Sequence, residues 1–207
     1  MLSAPKLQLV LRRLPVVSSH GPWVRAVGFH LLHGPPPGSP SGPPQPLWPD
    51  GAARLGARFT PRGSFGTIYL ASDPITAMME VEAIFEGAKS IRTPPLTIFA
   101  VDGVLDRVLD LTNIEVESAL GTSLGEVTGD WRFSQERFQR GQGPMPPCQL
   151  LGKMAYESGK FDAVQYRSAK NVRSGLGWAV FAERLTKRGR SFLSVKDEYG
   201  LMGQELP

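Results

Sequence analysis

The stretch Thr67-Ile68-Tyr69-Leu70-Ala71-Ser72-Asp73-Pro74-Ile75-Thr76-Ala77-Met78-Met79-Glu80-Val81 decides the fold class, because its periodicity changes from that of a strand to that of a helix. Thr67 to Ala71 has the β-branched and aromatic composition of a strand. Alternate strand side chains face opposite ways, so Tyr69 is expected on the face away from Ile68 and Leu70. Asp73 stands where an N-cap belongs and Pro74 at the first helical position. A helix follows over Ile75 to about Phe85, ending at Gly87. Ala77, Met78, Val81, Ile84 and Phe85 share one apolar arc of that helix, with Glu82 and Glu86 on one flank. Glu80 stands alone on the other flank, where a carboxylate is partly desolvated yet able to reach a ligand. The same position suits an ordinary solvated glutamate.

Upstream of the strand lies Gly56-Ala57-Arg58-Phe59, so that Arg58, Tyr69 and Glu80 follow one another at eleven-residue intervals. These side chains suit NAD chemistry. An arginine forks onto a pyrophosphate, a tyrosine stacks on a nicotinamide or adenine ring, and a glutamate holds a ribose hydroxyl or stabilises a sugar cation. Each also has a plain structural role open to it: Arg58 as an ion-pair partner, Tyr69 as a core residue with a satisfied hydroxyl. The passage Phe59 to Gly66, with Pro61, Gly63 and Gly66, is a turn leading into the strand.

Further out, Trp23 to Leu32 alternates as a strand, and Leu96–Asp102 and Val108–Leu111 read as two strands with Gly103 near the turn between them. Helices are expected within Glu115–Leu120, Trp131–Arg140 and Gln149–Ser158, and strands over Phe161–Tyr166 and Trp178–Phe181. Five or six strands mixed with short helices, without regular alternation, predict an α+β fold. Residues 34–51 hold eight prolines among glycines and serines and are expected to form a solvated insertion or a lid, not a packed element. The expected organisation is an N-terminal extension over 1–20, one domain over 21–185 and a tail over 186–207. In the basic run Arg184, Lys187, Arg188 and Arg190, a solvated face is the default.

Composition narrows the class. With 207 residues and 41% hydrophobic content the chain is long enough for one domain with a real core. A net charge of +4 is modest and favours an anionic ligand over a nucleic acid. One cysteine, Cys148, allows no internal disulfide, and three histidines clustered near the start assemble no cysteine-histidine zinc site, so a reducing, cytoplasmic setting fits. No apolar run is long enough for a membrane helix. The phosphate-binding loop, the dinucleotide glycine fingerprint, the zinc-protease helix motif and the serine-hydrolase elbow are all missing from the sequence.

The set Gly56-Ala57-Arg58-Phe59, Thr67-Ile68-Tyr69-Leu70-Ala71-Ser72 and Thr76-Ala77-Met78-Met79-Glu80-Val81 resembles the RES-domain family, named for an arginine, a glutamate and a serine. Arg58, Tyr69 and Glu80 match its pattern. The segment Asp162-Ala163-Val164-Gln165-Tyr166-Arg167-Ser168-Ala169, followed by Trp178-Ala179-Val180-Phe181, looks like the serine region, making Ser168 the third namesake. Members often have a proline directly before that serine, where this chain has Arg167. They also tend to carry another arginine near the start, for which Arg25 is the nearest candidate.

The resemblance implies a single domain with a mixed, split β-sheet related to the ADP-ribosyltransferase fold. It implies a bacterial toxin that consumes NAD as substrate without a metal, with a helix-turn-helix antitoxin covering the active site. Glu80 would stabilise the cation formed when nicotinamide leaves, Arg58 and Arg25 would hold the pyrophosphate, Tyr69 would stack on nicotinamide, and Ser168 would bond to ribose, phosphate or carboxamide. Water, phosphate or a protein could be the acceptor, a homo-oligomer is possible, and a silent binding domain is the alternative outside catalysis.

Overall fold

The computed structural model describes residues 1–29, 32, 44–85, 95–185 and 190–207, with only the backbone of residues 82–85. Seven α-helices and eight strands run in the order α1 (Ala4–Leu11), β1 (Val17–His20), β2 (Trp23–Gly28), α2 (Asp50–Leu55), β3 (Thr67–Ala71), α3 (Pro74–Phe85), β4 (Leu96–Asp110), α4 (Ile114–Ala119), α5 (Leu124–Thr128), α6 (Arg132–Gln139), α7 (Pro147–Glu157), β5 (Ala163–Arg167), β6 (Leu176–Phe181), β7 (Phe192–Val195) and β8 (Gln204–Leu206). The α+β class is therefore correct, and the sheet is mixed: β5 runs parallel to β4, the other pairings being antiparallel.

The sheet closes on itself through β4. The first half of this strand pairs with β2 from Leu96 to Val101, and its last residues, Val108 to Asp110, pair with β5. Between β2 and β5 the order runs through β3 and β6, completing the circuit. The two strands predicted around Gly103 are thus one strand of 15 residues, about 50 Å at 3.3 Å per residue. Gly103 does not turn the chain back. It lets β7 approach, since a Cβ on it would lie 2.2 Å from the Phe192 carbonyl oxygen.

Strand alternation sorts the sheet residues into two cores. Ile68, Leu70, Val108, Ala163, Trp178 and Val180 face one core with Trp23 and Val101. Leu109, Val164, Ala179 and Phe181 face the other, which α1, α4, α5 and α7 cover through Leu7, Leu11, Val116, Leu120, Val127, Leu151 and Ala155. Tyr69 packs on this helix-covered side, opposite Ile68 and Leu70 as predicted.

Other boundaries moved. The strand predicted over Trp23–Leu32 ends at Gly28, and the Leu32 amide donates to the Phe29 carbonyl. Residues 33–43, most of the proline-rich segment, lie outside the described residues. Its end is packed, contrary to expectation: Leu47 is buried in the strand-lined core, and α2 begins at Asp50. Residues 1–20 supply α1 and β1, and the last segment supplies β7 and β8, which extend the sheet from β4. Arg184 is no simple solvated charge, since Nη2 donates to the Tyr156 carbonyl at 2.7 Å and the guanidinium lies over the Tyr156 ring. Lys187 and Arg188 lie outside the described residues.

Helix α3 starts as the sequence predicts. Asp73 Oδ1 accepts from the Thr76 amide at 2.8 Å, capping the helix. Its buried row differs from the predicted arc. Met78 is exposed, whereas Thr76 and Ala77 are buried and Glu80 and Val81 half-buried. The helix is rotated so that Thr76 and Glu80, one turn apart, face the protein together. The side chains of Glu82, Ile84, Phe85 and Glu86 lie outside the described residues.

Candidate active site

The Arg58 loop is built on backbone contacts that only small residues allow. Gly56 has φ +80°, and a Cβ there would sit 1.9 Å from Gln135 Oε1. Ala57 and Thr60 close a tight turn through paired backbone bonds of 2.8 and 3.1 Å, and Phe59 at its apex is fully buried. Gly152, on α7, touches the Phe59 carbonyl so closely that a Cβ would stand 2.0 Å from that oxygen. Two amide side chains bind the loop from below. Gln149 Nε2 donates to the Ala57 carbonyl at 2.9 Å and to Gln135 Oε1 at 2.6 Å, while Gln135 Nε2 donates to the Leu55 carbonyl at 3.2 Å.

Tyr69 fastens the loop from the sheet side. Its hydroxyl accepts from the Phe59 amide at 2.9 Å and shares a bond of 2.9 Å with Thr60 Oγ1. Burial raises this phenol well above its ordinary pKa, with smaller opposing effects from the Thr60 and Phe59 bonds. The phenol therefore stays neutral and keeps its place. Arg58 follows directly: Nη1 donates to the carbonyls of Val127 and Gly129, both at 3.0 Å, at the C-terminal end of α5. A guanidinium suits that negative helix end. No other hydrogen bond of this guanidinium is made among the described residues.

Glu80 and Ser168 meet although 88 residues separate them. Ser168 Oγ donates to Glu80 Oε1 at 2.6 Å, and the serine is 2% exposed. The same oxygen accepts from the amides of Lys170 and Asn171 at 3.1 and 3.0 Å. The β5–β6 connection is tied to the start of α3 at two further points. Asn171 Nδ2 donates to Thr76 Oγ1 at 2.9 Å, and the Leu176 amide donates to Ser72 Oγ at 3.1 Å.

Tyr166 joins the two halves. It lies two residues before Ser168 on β5, packs its ring on Phe59 at 4.8 Å between centroids, and is buried. Burial raises its phenol strongly, and the negative charge of Glu80 raises it further, with a smaller contribution from Tyr69 and an opposing one from Arg58. The hydroxyl of Tyr166 is therefore within the field of Glu80, Tyr69 and Arg58 together. Gly177 pairs with Tyr166 in the β5–β6 ladder, and a Cβ there would lie 2.5 Å from Tyr166 Cζ. The glycine makes the room the phenol occupies.

Arg25 stands apart, with no hydrogen bond or ion pair to the other four candidates among the described residues. Its Nη2 donates to the Trp48 carbonyl at 2.8 Å, its Nη1 is buried without a hydrogen-bond partner, and desolvation pushes its pKa down to about 10. Cys148 is buried, and desolvation pushes its thiol up to about 11, which disfavours the nucleophilic thiolate. Among the described residues no group of three or more His, Cys, Asp or Glu could hold a metal ion, and no helix is long and apolar enough to cross a membrane.

The hydroxyls of two candidates, Tyr69 and Ser168, are engaged within the protein. The Tyr69 hydroxyl is spent on the loop backbone, and Ser168 has its donor on Glu80 and two amides on its oxygen, so neither hydroxyl is open to a ligand as the site stands. Arg167, exposed at the end of β5, does not prevent Ser168 from reaching Glu80. Sequence reading missed Tyr166, Gln135, Gln149, Thr76 and Asn171. Only Tyr166 carried a signal, since it lies in phase with Ser168 on a strand.

Comparison with known proteins agrees with this architecture. A family model described as the RES domain matches residues 32–195. A chain from the crystal structure of the M. tuberculosis MbcT-MbcA toxin-antitoxin complex has a similar fold, with a TM-score of 0.66 at 22% identity over 97% of this chain and 92% of that one. No curated protein matches the chain.

Proposed function

The chain belongs to the RES-domain family, and from that premise we propose that it is a toxin that consumes NAD by breaking the bond between nicotinamide and ribose. The observation that supports this reading most is the bond from Ser168 to Glu80, with Tyr166, two residues before that serine, packed on Phe59 of the Arg58 loop. A guanidinium and a carboxylate together suit a substrate with a pyrophosphate at one end and a developing sugar cation at the other.

In this reading Nε and Nη2 of Arg58 hold the pyrophosphate, and Arg25, bonded to the Trp48 carbonyl apart from the other four candidates, lies outside that contact. Glu80 accepts a hydrogen bond from a ribose hydroxyl and stabilises the oxocarbenium-like transition state. The carbon–nitrogen bond breaks with its electron pair going to the nicotinamide ring, which leaves neutral. Water or phosphate then bonds to the anomeric carbon, and an attacking water gives up its proton to solvent. Tyr69 contributes its ring edge and holds the Arg58 loop. The chemistry needs no metal.

The partner is an antitoxin of helix-turn-helix type covering this site, and the setting is the cytoplasm, where NAD is at hand. The solved complex with a similar fold, which pairs a toxin with an antitoxin, supports this assignment. The intact Ser168–Glu80 contact beside Arg167 favours an active site over a silent binding domain.

Product analysis tests the reading. NAD incubated with the protein should yield free nicotinamide with ADP-ribose in phosphate-free buffer, or its 1″-phosphate ester when phosphate is added. Labelled ADP-ribose attached to lysate proteins would move the assignment to protein modification. Expression without a partner should arrest growth, and normal growth would remove the toxin role.

A further inference from the structure

We infer that Ser168, Asn171 and Thr76 are positioning residues that hold the Glu80 carboxylate, and that Ser168 does this in place of contacting substrate. The inference rests on the proposed NAD chemistry for its catalytic consequence, and on geometry for the positioning itself.

A serine hydroxyl has one proton to donate and two lone pairs to accept with. At Ser168 all three are used. The amides of Lys170 and Asn171 donate into Oγ, which forces the single proton outward, onto Glu80 Oε1. A ribose or phosphate could bond to this hydroxyl only by displacing one of these partners inside a nearly closed site.

The second point of attachment fixes the first. Thr76 and Glu80 are one helical turn apart on α3, and the β5–β6 connection grips both: Asn171 Nδ2 at Thr76 Oγ1 and Ser168 Oγ at Glu80 Oε1. Thr76 is fully buried and its hydroxyl donates to Asp73 Oδ2 at 2.6 Å, so its oxygen can only accept from Asn171. The connection is closed by Ser168 N to the Gly175 carbonyl at 2.8 Å and Gly175 N to the Asn171 carbonyl at 3.0 Å. Gly175 has no room for a side chain, since a Cβ would lie 2.8 Å from Thr76 Oγ1. The clamp therefore joins two parts of the chain through side chains whose donors and acceptors are matched.

Steady-state nicotinamide release and amide hydrogen exchange, run on the same set of variants of the full chain, test the inference. Ser168→Ala and Asn171→Ala should lower kcat at least about tenfold with KM for NAD nearly unchanged, because displacing a catalytic group by a fraction of an ångström acts on the chemical step. Thr76→Val should behave like Asn171→Ala, Thr76→Ser should restore the wild-type rate, and the double variant Asn171→Ala with Thr76→Val should be no worse than either single one. In exchange, the Lys170 and Asn171 amides should be protected in the wild type and lose protection in Glu80→Ala and in Thr76→Val.

A rise in KM at constant kcat for Ser168→Ala would make the serine a substrate contact and overturn the inference while leaving the NAD reading intact. Unchanged protection of both amides in Thr76→Val would overturn it whatever the activity. No nicotinamide release by the wild type, with protection lost as described, would instead defeat the NAD reading and leave the clamp standing.

Discussion

The hydroxyl of Tyr69 lies 2.9 Å from the amide of Phe59, so the strand that leads into α3 also holds the residue next to Arg58. The bond spans the helix-covered side of the sheet, where Tyr69 packs, and connects the two motifs that stand eleven residues apart in sequence. Tyr69→Phe keeps the ring and removes the acceptor, leaving a part-buried amide unsatisfied. The expected loss is about 1 to 3 kcal/mol of folding stability, read by urea denaturation, with weaker NAD binding because Arg58 loses its support. Wild-type stability and binding in this variant would show that the hydroxyl does nothing for the loop.

Gly152 on α7 allows the same loop to seat. A methyl group would stand 2.0 Å from the Phe59 carbonyl oxygen and 2.8 Å from its Cβ. Gly152→Ala is expected to cost at least the upper end of the about 1 to 3 kcal/mol typical of overpacking, although alanine is the better helix former. A variant that melts at or above the wild-type temperature would contradict the contact.

Gln149 is almost fully buried and satisfies both the Ala57 carbonyl and the Gln135 side chain. Gln149→Leu preserves much of the volume and removes the donors, with an expected loss of about 1 to 3 kcal/mol in chemical denaturation. The double variant with Gln135→Leu should lose less than the sum of the two single losses, because the amides satisfy each other.

Much of this architecture was legible in the sequence, and the parts that were not share a physical cause. Thr67–Ala71 and the helix opened by Asp73 and Pro74 were readable because composition and capping act locally. Gly103 misled because a glycine between apolar runs has the same local signature whether it turns a chain or admits a neighbouring strand. Here the neighbour, Phe192, lies 89 residues away. β1, β7 and β8 are short and partly polar, and they are strands because β4 or its neighbour offers a hydrogen-bonding edge.

The site shows the same division. Arg58, Tyr69 and Glu80 stand out through spacing and flanking residues. Gln149, Asn171 and Thr76 bond to groups 92, 95 and 95 residues away, which no local pattern reports. The exposure of Met78 and burial of Thr76 could not be read from hydrophobicity, because polar contacts to Asp73 and Asn171 set the rotation of α3.

Asp73 gives the start of α3 a defined pH dependence. Its carboxyl is held below the ordinary aspartate value first by the Thr76 hydroxyl, then by the Thr76 amide, with a further contribution from Ser72. A depressed folded-state pKa stabilises the protein above the unfolded value of about 4, and that stability is lost as pH falls through the lower folded value. Thermal melting between neutral pH and pH about 3 should therefore show a steeper acid decline for the wild type than for Asp73→Ala. Parallel declines would remove the cap from the acid response.

Tyr166 has its hydroxyl in the field of Glu80 and its ring on Phe59. Tyr166→Phe keeps the packing, so little change in melting temperature is expected. One neutral hydrogen bond, about 0.5 to 1.5 kcal/mol, corresponds to a fall of roughly two- to tenfold in kcat/KM. An unchanged kcat/KM would make Tyr166 a core residue only.

The measurement that bears most directly on the central claim is initial-rate release of nicotinamide from NAD by the wild type, Glu80→Ala and Arg58→Ala, with and without phosphate. The account predicts release by the wild type. It predicts a loss of kcat on the order of a hundredfold or more for Glu80→Ala, since a group stabilising charge in the transition state is worth that much. For Arg58→Ala it predicts a rise in KM larger than the fall in kcat. Release by Glu80→Ala at the wild-type rate, or none by the wild type under either condition, would contradict it.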